Sequence, residues 1–455
     1  MSASPPLPPI RVIGGGLSGC EAALQLADAG HEVDLYEMRP RVETPAHKTD
    51  GLAELVCSNS FKGLARTGAH GLLKEELGRL GSKLLAIAFE SRVPAGESLA
   101  IDREVFSSKV QEAIESRPAI RLIRDEVKTL DPDVWTILAT GPLTSETLAQ
   151  DLFERTADIS AHSITGHPEK GGRRLFFFDS IAPVVTAESL DMDILYARNR
   201  WDKGEAPDFL NVPLNEEEYY AFVEALVTAD TVEAKPFEKG QLFEGCLPIE
   251  EMARRGKETL RFGPMRPIGL PDPRTGEDPF AVIQLRAENA QKTLYNLVGF
   301  QTRLKWGTQK EILTRIPGLR GAEFARFGAM HRNTFLDSPR VLEQTLRLRG
   351  TKIFCAGQIT GAEGYTEALS TGYYAASMLH AALKDESAAQ TYRWPEGTCI
   401  RALTEHLTYP NADFQPMNFN FGLLPVRDGW RKSQRKEMQI KTCVESWEGF
   451  RPFGP

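Results

Sequence analysis

The segment Ile10-Arg11-Val12-Ile13-Gly14-Gly15-Gly16-Leu17-Ser18-Gly19 constrains the fold of this chain more than any other. A short β-rich run leads into Gly14-x-Gly16-x-x-Gly19, and Cys20 to Asp28 then reads as a helix with Ala22, Ala23, Leu24, Leu26 and Ala27 at its apolar positions. Gly30 ends that helix, and His31 to Tyr36 reads as a second strand closed by Glu37. Such a βαβ unit binds a dinucleotide. The first glycine makes the tight turn, the second lets a pyrophosphate approach the backbone, and the third lets the helix pack on the strand. The helix N-terminus adds about half a positive charge toward the phosphates. Gly14, Gly15, Gly16, Leu17, Ser18 and Gly19 are therefore the candidate cofactor contacts. Glu37 stands where an acid accepts from ribose hydroxyls and disfavours a 2′-phosphate, so FAD or NAD is expected here over NADP.

Two later segments extend the pattern. Asp133 to Pro142 reads as a buried strand ending in Ala139-Thr140-Gly141, common where a flavoprotein chain leaves its FAD domain. Lys352 to Gln358 is a second strand running into glycine, followed by Thr360 to Tyr365 and a small-residue helix through Ala368, Gly372, Ala375 and Ala376. A remote strand–glycine element opening a helix is what the flavin end of an FAD domain uses. FAD is therefore expected rather than NAD, with Gly357, Gln358 and Gly361 as further cofactor-binding candidates. The expected fold is α/β: a Rossmann-like, glutathione-reductase-like FAD-binding domain with a large inserted α+β domain. The first part of the FAD domain is placed at residues 1–145 and the insertion at 150–330. The second part, with a C-terminal tail, is placed at 331–455.

A chain of 455 residues holds roughly two to three domains. Its formal net charge of −8 argues against a generally basic coat for nucleic acid, and alone favours a small-molecule enzyme. It leaves room for a local basic groove, because phosphates are contacted patch by patch. No apolar run approaches the about 18 residues of a membrane span. Met1 to Pro9 reads as a frayed tail and not as a signal peptide. Six cysteines without a secretory signal point to reduced thiols and a cytoplasmic protein. None lies in a CxxC pair or at zinc-ligand spacing, so no metal is expected.

Two thiols stand out. Cys57 follows an apolar run but is flanked by Ser58, Asn59 and Ser60, as in a polar loop or helix cap. Cys246 lies between Gly245 and Leu247-Pro248, in a turn with restrained backbone. Cys20 and Cys355 read as core, while Cys399 and Cys443 carry no signal. Basic residues cluster at Arg254, Arg255, Lys257, Arg261 and Arg266, and again from Arg427 to Lys441 through Arg431, Lys432, Arg435 and Lys436. Either cluster reads as a solvated face or as a phosphate-binding patch. The first gains weight because it follows Cys246.

Taken together, Gly14 to Ala23, Tyr36-Glu37-Met38-Arg39-Pro40, Thr44-Pro45-Ala46-His47 and Glu54 to Ser60 resemble the folate- and FAD-dependent tRNA (uracil-5-)methyltransferase family, TrmFO. So do Phe243 to Glu250, Gly263 to Pro267, Asn296 to Thr302, Met330 to Thr334 and Gly357 to Gly361. These matches span almost the whole chain, and the cysteine segments are far more specific than the glycine fingerprint. Thr366 to Gly372 departs in detail from the family helix. The resemblance implies that a nicotinamide cofactor reduces FAD and that methylenetetrahydrofolate donates one carbon. The methyl group ends on C5 of a uridine in the T-loop of tRNA.

The residues make chemical sense of this. Uracil C5 is a poor nucleophile until a thiolate adds to C6. A cysteine at its ordinary pKa of about 8.5 is only a few per cent thiolate at neutral pH, and Arg254, Arg255 and Lys257 are candidates to raise that fraction. Cys246 is the candidate nucleophile and Cys57 the second thiol, near the flavin. His331 is a candidate folate contact. Two rival readings are an FAD-dependent oxidoreductase acting on a small molecule and a tRNA-binding flavoprotein without methylation activity.

Overall fold

The computed structural model describes residues 8–161, 175–203, 206–231, 247–289, 291–391, 394–411 and 414–453. Five parallel strands form its central sheet in the order Ile353–Cys355, Thr136–Leu138, Ile10–Ile13, Val33–Tyr36, Ile120–Ile123. These strands are short apolar runs with helices against them, which is how a parallel sheet hides both faces. Arg11 pairs with Asp34 on one side and Thr136 on the other, and Thr136 also pairs with Ile353. The remote third segment is thereby seated two strands from the fingerprint, as expected of one nucleotide-binding domain.

Helix Leu17–Asp28 opens directly from the glycine turn, three residues earlier than the apolar pattern alone indicates. It crosses helix Tyr365–Lys384 at very short range: a Cβ on Gly372 would lie 2.4 Å from the Ser18 carbonyl oxygen. The small residues of the later helix exist for this contact. Two buried glutamates on this framework anchor other helices. Glu21 accepts from Lys83 N at 3.1 Å and Leu84 N at 2.9 Å, at the start of helix Lys83–Glu90. Glu76 accepts from Cys399 N at 2.6 Å and Ile400 N at 2.9 Å, at the start of helix Cys399–Thr408. Each carboxylate satisfies backbone donors that a helix end leaves open.

A second hydrophobic core gathers residues between Ala182 and Ala322. Its sheet is antiparallel, in the order Tyr196–Ala197, Phe209–Leu214, Ala281–Ala287, Leu294–Leu297, Val184–Thr186, Phe324–Arg326. Helix Glu216–Thr228 covers it with Tyr219, Phe222, Val223 and Leu226. A reciprocal capping box between Asn215 and Glu218 starts that helix, a feature worth about 1 kcal/mol. Strands Leu175–Ile181 and Ala329–Phe335 pair antiparallel where the chain enters and leaves this unit. The molecule is thus an α/β FAD-type domain carrying an inserted α+β unit. Among the described residues, no helix is long and apolar enough to cross a membrane.

Candidate functional site

The three fingerprint glycines act through distinct contacts. Gly14 takes φ +110°, and a Cβ there would lie 2.4 Å from the Ala139 carbonyl oxygen. A Cβ on Gly19 would lie 1.8 Å from the Gly14 carbonyl oxygen, so this residue lets the helix sit on the strand. A Cβ on Gly16 would meet nothing within 4 Å. Gly16 therefore faces open space at the helix N-terminus, where a phosphate would approach.

That space is one continuous cavity of about 320 Å³. It is lined by Glu37, Met38, Asp125 and Val127, and by Gly14 to Ser18 with Thr140 and Gly141. It also reaches Cys57, Ser58, Lys62, Gln358, Glu363 and Tyr365. Glu37 accepts from Gly15 N at 3.1 Å and from Arg39 Nε at 2.9 Å. Burial alone would push its carboxyl up, but the Arg39 hydrogen bonds and charge outweigh this and hold it below the ordinary carboxylate range. It is thus a charged acceptor at the cavity wall, as a ribose requires. The open helix N-terminus and this acid fit FAD: Gly14 to Ser18 would hold its pyrophosphate and Glu37 would accept from its ribose.

Gln358 lines the cavity and donates to Glu363 at 2.8 Å. Gly19, Gly357 and Gly361 are absent from the cavity wall and shape the backbone behind it. A Cβ on Gly357 would lie 2.3 Å from Ser18 Oγ, and one on Gly361 would lie 2.6 Å from the Phe414 ring.

Cys57 is half-buried in the cavity wall, on a loop rather than a regular element. Tyr365 pins that loop: its hydroxyl accepts from Cys57 N and Ser58 N, each at 3.1 Å, and donates to the Ser58 carbonyl at 2.9 Å. Burial pushes the Tyr365 hydroxyl up, so it remains a protonated donor at neutral pH. Asn59 ties the loop to the inserted unit, donating to the Ala287 carbonyl at 2.9 Å and accepting from Arg286 Nε at 3.0 Å. Arg103 and Arg326 each donate to the Cys57 carbonyl at 3.4 Å, and Arg103 Nε pairs with Glu288 at 2.7 Å. Burial disfavours the charged forms of Arg286 and Arg326, and repulsion by Arg103 adds to this. Lys48 is shifted down by burial and by Arg326 and Arg103. The Cys57 loop therefore lies in a strongly cationic junction between the two units.

Sequence reasoning missed Arg103, Arg286, Glu288, Arg326 and Tyr365 as site residues. A usable signal existed for Arg286 and Glu288, since charge at the end of an otherwise apolar strand is costly unless paired. Cys246 lies outside the described residues, as does the His331 side chain. Of the first basic cluster, Arg254 is exposed and paired with Glu251 at 2.7 Å, and Lys257 and Arg266 are exposed. Arg261 instead packs over the Phe280 ring at 4.1 Å. Arg427, Arg431, Lys432, Arg435 and Lys436 are all exposed. Cys20 and Cys355 are fully buried, and burial pushes the Cys355 thiol up to about 12. Cys399 and Cys443 are also buried, with their sulfurs 3.4 Å apart beside Glu76.

Residues 9–387 match the family described as "Glucose inhibited division protein A". A protein of Geobacter sulfurreducens named "Methylenetetrahydrofolate--tRNA-(uracil-5-)-methyltransferase TrmFO" is 51% identical over 440 residues, covering 96% of this chain and 97% of that protein. A protein of the same name from Rubrobacter xylanophilus is 48% identical over 438 residues, covering 95% and 94%. Among solved structures, GidA of Aquifex aeolicus superposes with a TM-score of 0.68 at 16% identity, covering 96% of this chain and 73% of that one. That likeness shows the fold alone. The chain belongs to the glucose inhibited division protein A family and, by its identity over nearly the whole length, to the TrmFO methylenetetrahydrofolate–tRNA-(uracil-5-)-methyltransferases.

Proposed function

We propose that this protein methylates C5 of the T-loop uridine of tRNA in the cytoplasm, taking the carbon from methylenetetrahydrofolate and electrons from NADH or NADPH. The observation that carries this reading is the continuous cavity joining the fingerprint glycines to the Cys57 loop. FAD, held by Gly14 to Ser18 and Glu37, would supply the redox chemistry.

The chain's own residues prepare the base. The Cys246 thiolate bonds to uracil C6, and the C5–C6 π electrons pass into an enolate. C5 then bonds to the methylene carbon as that carbon's bond to one carrier nitrogen breaks. Cys57, as thiolate, takes the C5 proton, and expulsion of the Cys246 sulfur as thiolate restores the double bond. A hydride equivalent, drawn from NADH or NADPH, then replaces the carbon's remaining bond to its carrier and leaves the methyl group. Tyr365 and Asn59 hold the Cys57 loop in place. His331 contacts the folate. Residues 1–145 and 331–455 form the cofactor domain, and residues 150–330 present Cys246 and the first basic cluster to RNA.

The RNA partner is tested by salt dependence. Binding of unmodified tRNA should weaken steeply with salt despite the net charge of −8. Replacing Arg254 and Arg255 together by alanine should flatten the log–log slope by about one to two units. An unchanged slope removes this patch from the interface and turns attention to Arg427 to Lys441.

A further inference from the structure

Beside the Cys57 loop stands an aromatic ladder that the reaction just described does not use. Phe324 and Phe327 stack with ring centroids 4.9 Å apart and planes 13° from parallel. Trp306 continues the stack on Phe327 at 5.8 Å and 14°. The outermost ring is open to solvent, with Trp306 66% exposed.

Two neighbours of the ladder in sequence reach the cavity and its Cys57 loop. Arg326 lies between the two phenylalanines in sequence and reaches the Cys57 carbonyl at 3.4 Å. Gln301, five residues before Trp306, is part of the cavity wall. The run between them is braced by the helix that follows Cys246, Ile249–Arg255. Ile249 N donates to the Gln301 carbonyl at 2.7 Å, Thr302 Oγ1 donates to Glu250 at 2.8 Å, and Arg303 N donates to Glu250 at 2.9 Å. Lys305 and Lys310 are exposed, Lys305 lying 3.9 Å from Asp230, and Arg326 makes no salt bridge among the described residues. The surroundings thus combine an open π-face with cations, which suits a planar group on an anionic chain.

We propose that the outer face of Trp306 is a stacking platform for an unpaired base of the RNA substrate, next to the uridine that enters the cavity. This rests on the RNA reading above and deepens it. An enzyme working on a base takes it out of its stack and leaves its neighbours without a partner. An exposed aromatic ring supplies one without regard to sequence, because every base has a π-face.

The test uses the full-length flavoenzyme as wild type, Trp306→Ala and Trp306→Phe. Trp306→Ala should raise KM for unmodified tRNA about tenfold, the change that one lost stack of about 1.4 kcal/mol produces. Trp306→Phe should recover most of this. FAD content and KM for methylenetetrahydrofolate should match wild type in both. A T-arm hairpin should quench tryptophan fluorescence in the wild type and much less in Trp306→Phe. An unchanged KM for tRNA in Trp306→Ala overturns the proposal, as does a rise in KM for the folate alone. A wild-type enzyme that binds no tRNA sinks the functional reading itself, whereas binding that is indifferent to Trp306 sinks only the platform.

Discussion

Gly16→Val should yield a folded but colourless protein, with FAD affinity reduced by a factor of about a hundred or more, a cost of some ~3 kcal/mol or above. A Cβ at Gly16 has nothing within 4 Å, so the substituent has room on the protein side. It projects into the space at the start of helix Leu17–Asp28, where the pyrophosphate would lie. The fold should survive, and far-UV circular dichroism checks that directly. Gly19→Val is the contrasting variant. Its Cβ would collide with the Gly14 carbonyl at 1.8 Å, so the helix could not sit on the strand and the protein should fail to accumulate. Full FAD content in Gly16→Val, read from the flavin absorbance of the purified protein, would contradict the assignment.

The second large effect concerns the thiols. A tRNA carrying 5-fluorouridine at the target should form a denaturant-resistant adduct with the wild-type enzyme, because fluorine cannot leave as the C5 proton does. Cys246→Ala should lose the adduct completely while keeping FAD, since Cys246 is remote in sequence from the glycine turn. Cys57→Ala should lose turnover and retain some adduct, as the role proposed for it follows the addition step. Its loop should stay in place, because Tyr365 grips the backbone of residues 57 and 58 and not the sulfur. Trapping by Cys246→Ala but not by Cys57→Ala would exchange the two roles. Trapping by both variants would remove thiol addition from the mechanism.

The parts of the site legible in the sequence are those whose physics is local. The strand–turn–helix announces itself because each fingerprint glycine answers a steric demand within a few residues. The strand Ile353–Cys355 is readable as a nucleotide-domain element because its glycine turn and small-residue helix follow at once. The anchoring of helix Cys399–Thr408 by Glu76 spans more than 300 residues, and nothing near Glu76 in sequence announces it. The same holds for the cationic junction at Cys57. Arg103 comes from the FAD-type domain, while Arg286 and Arg326 come from the inserted sheet, and only the packing of the two units brings them together. Charge pattern alone also misreads Arg261, whose stem and guanidinium lie over Phe280 where a solvated surface cation was equally plausible.

Following the carbon tests the proposed reaction from donor to product. Unmodified tRNA is incubated with the flavoenzyme, NADH and methylenetetrahydrofolate labelled in its methylene group, and the digested nucleosides are resolved by mass spectrometry. The proposed chemistry predicts one labelled 5-methyluridine per tRNA, at the T-loop position, and none when folate or reductant is omitted. Label that never reaches the uridine, or a methyl group that forms equally well without methylenetetrahydrofolate, would contradict it.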